Sequence, residues 1–357
     1  MQPSSNYVHR AVDFLKELIA IPAPSREEKQ RADFIQTYLE ENGFQCFRSG
    51  NNVWTFASEW DAQFPTLLLN SHMDTVKPVK GWTIDPFQPI EKEGKIYGLG
   101  SNDAGASLVS LLHVFMLLSL QKQPYNLIFA ATAEEEISGN NGIESILKEF
   151  PAVDFAIVGE PTDLNFAIAE KGLMVLDCIA HGKAGHAARN EGENAIYKAI
   201  QDIEWIKNHH FEKISDLLGE VKMTVTQIQA GTQHNVVPDQ CTFVVDVRSN
   251  ELYRNEELLN EIKHHLVSEV NARSLRLSSS ATPSNHPVLI RANELGRILF
   301  GSPTLSDQAL MPFPSVKVGP GKSERSHTAD EFIEIEEIRQ GIELYYQLLN
   351  GLNISLL

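Results

Sequence analysis

Thr66-Leu-Leu-Leu-Asn-Ser-His72-Met-Asp74 is an apolar run that stops on a histidine and an aspartate. Residues 66–70 read as a strand, and two more apolar runs end in the same way. Residues 126–131 lead into Glu134-Glu135-Glu136, and residues 155–158 lead into Gly159-Glu160-Pro161. These runs do not alternate, as expected of strands whose two faces are both covered by helices. A fourth strand is read at 53–57, and helices at 106–120 and 142–150 lie between the later strands. Strands alternating with helices make an α/β layer domain.

Working outward, Val8, Ala11, Val12, Leu15, Leu18 and Ile19 share one helical face, and Pro22 and Pro24 end that helix. Ser25 followed by Glu28 has the spacing of a capping box for a second helix reaching about Glu41. From Met174 the rhythm changes: strand 174–180, helix 194–207, strands 222–229 and 241–248, helix 256–270 and strand 274–279. That β-α-β-β-α-β order is ferredoxin-like. Val221, Met223, Val225 and Gln227 fall on one face, as in an antiparallel sheet with one side in water. Beyond Pro287 the first rhythm returns. The expected organisation is a domain of residues 1–173 and 284–357, interrupted by an inserted domain at 174–283.

Composition narrows the function classes. With 357 residues, 42% hydrophobic and 22% charged, the chain suits two globular domains. A formal charge of -17 argues against nucleic acid and anionic membranes as partners. Cys46, Cys178 and Cys241 are odd in number and far apart, which suits a reducing compartment. The start, Met1 to Arg10, lacks the basic residues and apolar run of a leader, and the apolar stretch 108–120 is too short for a bilayer. The expected location is the cytoplasm. Gly98-Leu-Gly100 lacks the third glycine of a dinucleotide fingerprint.

The chemistry sits in five segments: His72-Met-Asp74, Asp103 between Asn102 and Ala104, the Glu134 to Glu136 triplet, Glu160, and Arg325-Ser-His327-Thr-Ala-Asp330. Each has a bland reading alone, as a packed histidine, a turn aspartate or a solvated acidic turn. Together they place imidazoles and carboxylates at strand ends, where open α/β sheets build their sites, and that donor set suits zinc. His113 reads as a core residue, and His209, His210, His264 and His265 as solvated or capping.

These motifs, in this order and around an inserted small domain, resemble the zinc amidohydrolase and peptidase family that includes acetylornithine deacetylase, succinyl-diaminopimelate desuccinylase and glutamate carboxypeptidase. The segments Gly159-Glu160-Pro161-Thr162 and 319–331 look most like the acetylornithine deacetylase branch. The resemblance implies a zinc-peptidase-like catalytic domain, a mixed sheet covered by helices on both faces, with an inserted α+β lid and dimerisation domain. It implies two zinc ions per chain, with cobalt as an alternative: His72 and Glu160 on one, Glu136 and His327 on the other, and Asp103 bridging. Glu135 becomes the general base, and Asp74 orients His72. Glu134 takes the place of an aspartate in the family's Asp-Glu-Glu pattern, and a shift of one residue would exchange the roles.

From the inserted domain the resemblance brings His186 as an oxyanion donor, in cis or from a neighbouring subunit, with Asn235 and Arg248 as substrate-binding residues. It implies hydrolysis of an N-acyl amino acid, N-acetylornithine or a relative, by a homodimer formed through that domain, with hinges near Gly172 and Pro287. Succinyl-diaminopimelate desuccinylase and dipeptidase activities share the same metal site, and a non-catalytic metal-stabilised binding protein is the alternative of a different class. One departure is plain: many members follow the bridging aspartate with Met-Lys-Gly, whereas this chain has Ala104-Gly105-Ala106.

Overall fold

The computed structural model describes residues 5–189 and 191–354. The first four residues of the start that was read as lacking a leader lie outside the described residues. Two compact units divide the chain: Met1–Ile168 with Thr282–Phe300 and Ser306–Leu357, and Ala169–Ala281 with Gly301–Leu305. The second unit begins a little before Met174, and it takes in Gly301–Leu305 because the Lys171 N–H donates to the Ser302 carbonyl at 3.1 Å.

The first unit is built on a mixed sheet. Seven of the sheet's nine strands among the described residues are β1 (Cys46–Ser49), β2 (Asn52–Phe56), β3 (Thr66–His72), β4 (Asn126–Thr132), β5 (Phe155–Val158), β6 (Phe166–Glu170) and β7 (Ser315–Lys317). They run in the order β1-β2-β4-β3-β5-β7-β6. β3 is parallel to β4 and β5, and β7 is parallel to β5, while β2 and β6 run antiparallel to their neighbours. Helices α1 (Ser5–Ala20), α2 (Lys29–Glu41), α3 (Ala106–Leu118) and α4 (Ile335–Leu349) pack on Leu67, Leu69, Phe129, Phe155 and Ile157. The alternate residues Leu68, Ile128, Ala130, Ala156 and Val158 face the other way, against Ile143, Ile146 and Phe150.

Both faces are therefore dry, which explains the unbroken apolar runs. Every residue of α3 is buried. The stretch Ser101–Leu118 is apolar and long enough for a membrane span, and 89% of it is buried in the fold.

Two expectations in this unit need correction. The helix read at 142–150 is a short α-turn, Ile143–Ile146, tightening into a 3-10 turn at Leu147–Glu149. Ser25 and Glu28 are not a capping box. The Ser25 hydroxyl donates to Asp74 at 2.6 Å, and the Glu28 carboxylate accepts the Arg26 and Glu134 N–H groups and the Asn51 amide. The spacing fits a cap, but tertiary partners took both side chains.

The second unit has a four-stranded antiparallel sheet in the order Lys222–Ala230, Gln240–Arg248, Met174–His181, Glu269–Ala272, with helices Ala195–Asn208 and Asn255–His265. Its core gathers Leu176, Cys178, Phe243, Val245, Leu258 and Ile262. The second helix stops at His265 rather than Val270, and the last strand is Glu269–Ala272 rather than 274–279. Val270, paired with Cys178, supplies the buried side chain that holds it there. The pairing of Lys222–Ala230 slips between Val225 and Gln227, so Gln227 leaves the face shared by Val221, Met223 and Val225 and is exposed.

Candidate metal centre and active site

The sheet register brings the site together. In the parallel pairing His72 lies opposite Thr132, and Asn70 lies opposite Val158. The segments that follow β3, β4, β5 and β7 therefore leave from one edge, the carboxyl edge where α/β sheets build sites. Met73-Asp74, Glu134-Glu135-Glu136, Gly159-Glu160 and the 318–331 loop all start there. The Gly159 N–H donates to the Asn70 carbonyl at 2.7 Å and fixes the exit of the Glu160 turn.

Two donor sets form. Ligand atoms of His72, Asp103 and Glu160 lie within 4.8 Å of one another, and so do those of Asp103, Glu136 and His327. Asp103 belongs to both. Its Oδ1 is 3.3 Å from His72 Nε2, and its Oδ2 is 3.6 Å from His327 Nε2. Glu136 Oε2 is 2.8 Å from His327 Nε2, and Glu160 Oε1 is 3.7 Å from His72 Nε2. The His72 side chain is buried, whereas that of His327 is 52% exposed, so the second set faces solvent.

The glutamate triplet is sorted by its backbone. Glu134 adopts a left-handed conformation (φ 56°), and its carboxylate turns to the Asn141 amide at 2.9 Å. A Cβ on Gly139 would lie 2.0 Å from Glu134 Oε2 and 2.5 Å from its Cβ, so the position excludes any side chain. Glu135 Oε2 is 3.9 Å from His72 Nε2 and belongs to neither donor set, while Glu136 faces His327.

Asp74 does more than was expected of it. Its Oδ1 accepts the Glu135 N–H at 3.1 Å, and its Oδ2 accepts the Glu136 N–H at 3.2 Å and the Ser25 hydroxyl. His72 Nδ1 lies 3.4 Å from Asp74 Oδ1 but 3.0 Å from the Asp74 carbonyl, so the backbone oxygen is the nearer acceptor. Asp74 thus supports the imidazole through its carbonyl, where its carboxylate was expected to do so, and the two glutamates through its carboxylate.

Four buried charges escaped the sequence reading. Glu331 accepts the N–H groups of Gly100, Asn102 and Asp103 at 3.1, 2.8 and 2.9 Å. Asp307 accepts Asn70 Nδ2 at 2.8 Å and the Thr132 hydroxyl at 2.7 Å, tying together the ends of β3 and β4. Arg31, 4% exposed, donates to the Met73 and Ile21 carbonyls, and Glu28 is fully buried. In sequence Glu28 reads only as half of a capping box, and no motif surrounds Arg31 or Asp307.

The electrostatics are those of a crowded acidic cleft. Burial, then the neighbouring Asp103, pushes Glu160 up to about 8. Burial, then the carboxylates of Glu160, Asp307 and Glu136, lifts Glu135 well above the usual range, against the pull of His72. Burial opposes protonation of His72, yet Asp103 and Asp74 outweigh it and raise the imidazole well above its ordinary value. The hydrogen bond to Glu136 lifts His327 to about 9. Burial lowers Arg31 to about 10, against the opposing charges of Asp74, Glu28 and Glu331.

A cation fits this arrangement. Glu160 Oε1 is buried without a hydrogen-bond partner, a costly state for a carboxylate oxygen unless a ligand meets it. The donors are imidazole Nε2 atoms and carboxylate oxygens, the set that suits zinc. The departure after Asp103 is packed inward: Ala104 is buried, and a Cβ on Gly105 would lie 2.3 Å from the Gly100 carbonyl.

The remaining expected residues belong to the second unit. His186 and Asn235 come together where Gly185–His186 pairs with Val236–Val237, and the Ala187 N–H donates to the Asn235 carbonyl at 3.0 Å. The Ala188 N–H donates to His186 Nδ1 at 3.1 Å, which leaves the proton on Nε2. Arg248 ends the Gln240–Arg248 strand and holds Asp246 through two bonds, at 2.9 and 3.1 Å.

Residues 68–351 match the model of the peptidase family M20/M25/M40. The chain is 24% identical over 369 residues to a protein named succinyl-diaminopimelate desuccinylase from Wolbachia pipientis wMel, covering 95% of this chain and 92% of the relative. It is 29% identical over 374 residues to a protein named acetylornithine deacetylase from Proteus mirabilis, covering 95% and 96%. Among solved structures, an aminopeptidase of Bacillus cereus superposes with a TM-score of 0.78 at 19% identity, over 96% of this chain and 98% of that one. A Bacillus subtilis protein described as a dinuclear metal binding peptidase does so with a TM-score of 0.74 at 17% identity, over 97% and 98%.

Proposed function

The chain belongs to the peptidase family M20/M25/M40, and from that premise we propose that it removes the acyl group from an N-acyl amino acid: N-acetylornithine, or a relative such as N-acetylcitrulline or an N-succinyl form. At the coarser level it is a hydrolase that acts on amides. The observation that carries the reading is Asp103, which turns one oxygen to His72 and the other to His327 while Glu135 stands outside both donor sets.

In this reading His72 and Glu160 would hold one zinc ion and Glu136 and His327 the other, with Asp103 available to both donor sets. A metal pair bound there would supply a water of lowered pKa and polarise the attacked carbonyl. Glu135 takes the water's proton and passes it to the leaving amine, which it can do because it is not spent as a ligand. Its raised proton affinity suits both halves of that task. Asp74 holds the Glu135 backbone and the His72 ring at once. His186, with its proton on Nε2, donates to the developing oxyanion, and Arg248 and Asn235 bind the polar ends of the substrate.

The homodimer is part of the proposal. In the second unit the strand Lys222–Ala230 lies at the sheet edge, with Ile228 52% exposed, and Tyr197 on the neighbouring helix is 66% exposed. Edges and apolar faces of this kind are commonly covered by another chain. A second reading, cleavage of N-succinyl-diaminopimelate, is favoured by the names of several relatives.

The test is hydrolysis by zinc-loaded protein of N-acetylornithine, N-acetylcitrulline, their N-succinyl counterparts, N-succinyl-diaminopimelate and a dipeptide. Preference for an ornithine or citrulline compound supports the first reading, and preference for the diaminopimelate compound supports the second. Silence on every compound with two metal ions bound points to the non-catalytic binding protein or to a substrate class outside the panel. Glu135→Gln separates the classes further: an enzyme keeps its metal and loses about 10²–10⁴ in rate.

A further inference from the structure

We propose that Glu331 is a positioning residue for the metal pair, clamping the loop that carries Asp103 from the same segment that presents His327. The inference rests on the proposed metal site and adds a residue to which no role in it has been given. The Gly100–Asp103 loop has few ways to hold its shape. Gly100 is left-handed (φ 78°), and a Cβ there would lie 2.6 Å from Thr75 Cγ2, so this turn is set by backbone rather than side-chain packing. Three successive donors along it, the N–H groups of Gly100, Asn102 and Asp103, converge on one carboxylate. Glu331 is 2% exposed, so water does not compete for those bonds. Without that carboxyl group these N–H donors would be left buried and unpaired, a costly state.

The geometry links the two donor sets. Glu331 follows His327 closely, and between them the Asp330 carboxylate accepts the Thr83 N–H at 2.9 Å and its hydroxyl at 2.7 Å. The segment is thus anchored at Asp330 and Glu331, with His327 projecting ahead of both anchors. From the other side the Asn102 side chain bonds the Lys322 carbonyl and N–H, at 3.1 and 2.9 Å, and joins the two loops again. Asp103 and His327 are therefore tied into one hydrogen-bonded framework. Glutamine at 331 offers one oxygen and one NH2 where three N–H donors converge, so at least one bond is lost and a donor faces a donor. Aspartate keeps the charge but draws it back by one methylene.

The test uses the full chain with Glu331→Gln and Glu331→Asp, read by competition titration of zinc binding and by the visible spectrum of the cobalt-loaded protein. We expect wild type to bind two ions, Glu331→Gln to weaken at least one of them by about 10–100-fold with an altered cobalt spectrum, and Glu331→Asp to fall between. In turnover, kcat should drop while KM stays within about twofold, since uniform binding is untouched. Should Glu331→Gln fail to fold, the same comparison is made on Glu331→Asp alone. Two ions bound with wild-type affinity and an unchanged cobalt spectrum in a folded variant overturn the clamp. Wild type that binds two ions yet cleaves no compound refutes the substrate reading, while the clamp is still scored on binding. Wild type that binds no metal refutes both.

Discussion

Replacing Asp74 by asparagine should weaken the metal site without dismantling the fold, and the structure sets the size of the effect. Asp74 Oδ1 accepts the Glu135 N–H at 3.1 Å, and Oδ2 accepts the Glu136 N–H at 3.2 Å and the Ser25 hydroxyl at 2.6 Å. Asparagine has the same shape but only one acceptor oxygen. Whichever way the amide turns, its NH2 confronts an N–H or hydroxyl donor, and one backbone N–H beneath the glutamates is left unpaired. A buried donor stripped of its partner costs about 1–3 kcal/mol. Because Ser25 can rotate its hydroxyl but Glu135 and Glu136 cannot withdraw their N–H groups, the penalty falls on the turn that carries the proposed base and ligand. Loss of such a supporting carboxylate typically lowers metal affinity by about 10–100-fold. Zinc competition with a chromogenic chelator measures it directly, with a chemical melt of the metal-free protein as control. Affinity within twofold of wild type, with the metal-free variant as stable as wild type, would refute the view that Asp74 organises the site.

Three further outcomes follow from the same geometry. Gly139→Ala should lower the stability of the metal-free protein by about 1–3 kcal/mol, since its Cβ would lie 2.5 Å from that of Glu134; a denaturant midpoint equal to wild type would show that the turn yields freely. His186→Ala should lower kcat by about 10²–10³, and mixing it with Glu135→Gln should restore activity if the histidine acts across a dimer, whereas no recovery in a mixed dimer assigns it to its own chain. Burial depresses His113 to about 4, as its ring is enclosed between the Val109 carbonyl at 2.7 Å and the Tyr38 hydroxyl at 2.9 Å. Folded His113 stays neutral while the unfolded chain takes a proton below about 6.5, so stability should fall by up to roughly 3 kcal/mol from pH 6.5 to 4, and His113→Leu should flatten that part of the profile.

What the sequence revealed and what it hid divide along a physical line. His72, Glu135, Glu136 and Glu160 were legible because each directly follows an unbroken apolar strand, and strand ends converge wherever parallel strands pair in register. Asp103 and His327 stood out as residue types in their segments, but their roles came only through the family resemblance, since their loops have no periodicity of their own. Glu331 stood in one of those motifs without a role, because three backbone N–H partners leave no trace in a sequence. Ser25 and Glu28 were misread for the opposite reason: their spacing carries a strong local signal, and the tertiary partners Asp74 and Glu134 overrode it. The strand at Glu269–Ala272 was lost inside a helical reading because a single buried residue, Val270, decides it.

The cleft also predicts how protons and metal compete. Glu160 is pushed up to about 8 by burial and by Asp103, and His327 up to about 9 by its bond to Glu136. Both groups must be deprotonated to ligate, so binding releases protons at any pH below those values. For Glu160 the sign is clear. Its folded pKa lies above the unfolded value, so the metal-free fold holds a proton that the unfolded chain releases above about 4.5, and this contribution to stability fades as pH rises towards 8. A bound ion replaces that proton, so the stabilisation due to metal should grow over the same interval. With one such group in each donor set, the apparent affinity for each ion should rise by at least about one decade per pH unit below pH 8. Chelator competition at pH 6, 7 and 8 gives this slope, and melts of metal-free and loaded protein give the matching change in stability. An affinity that is flat between pH 6 and 8 would mean that these carboxylates and imidazoles are not the groups that meet the metal.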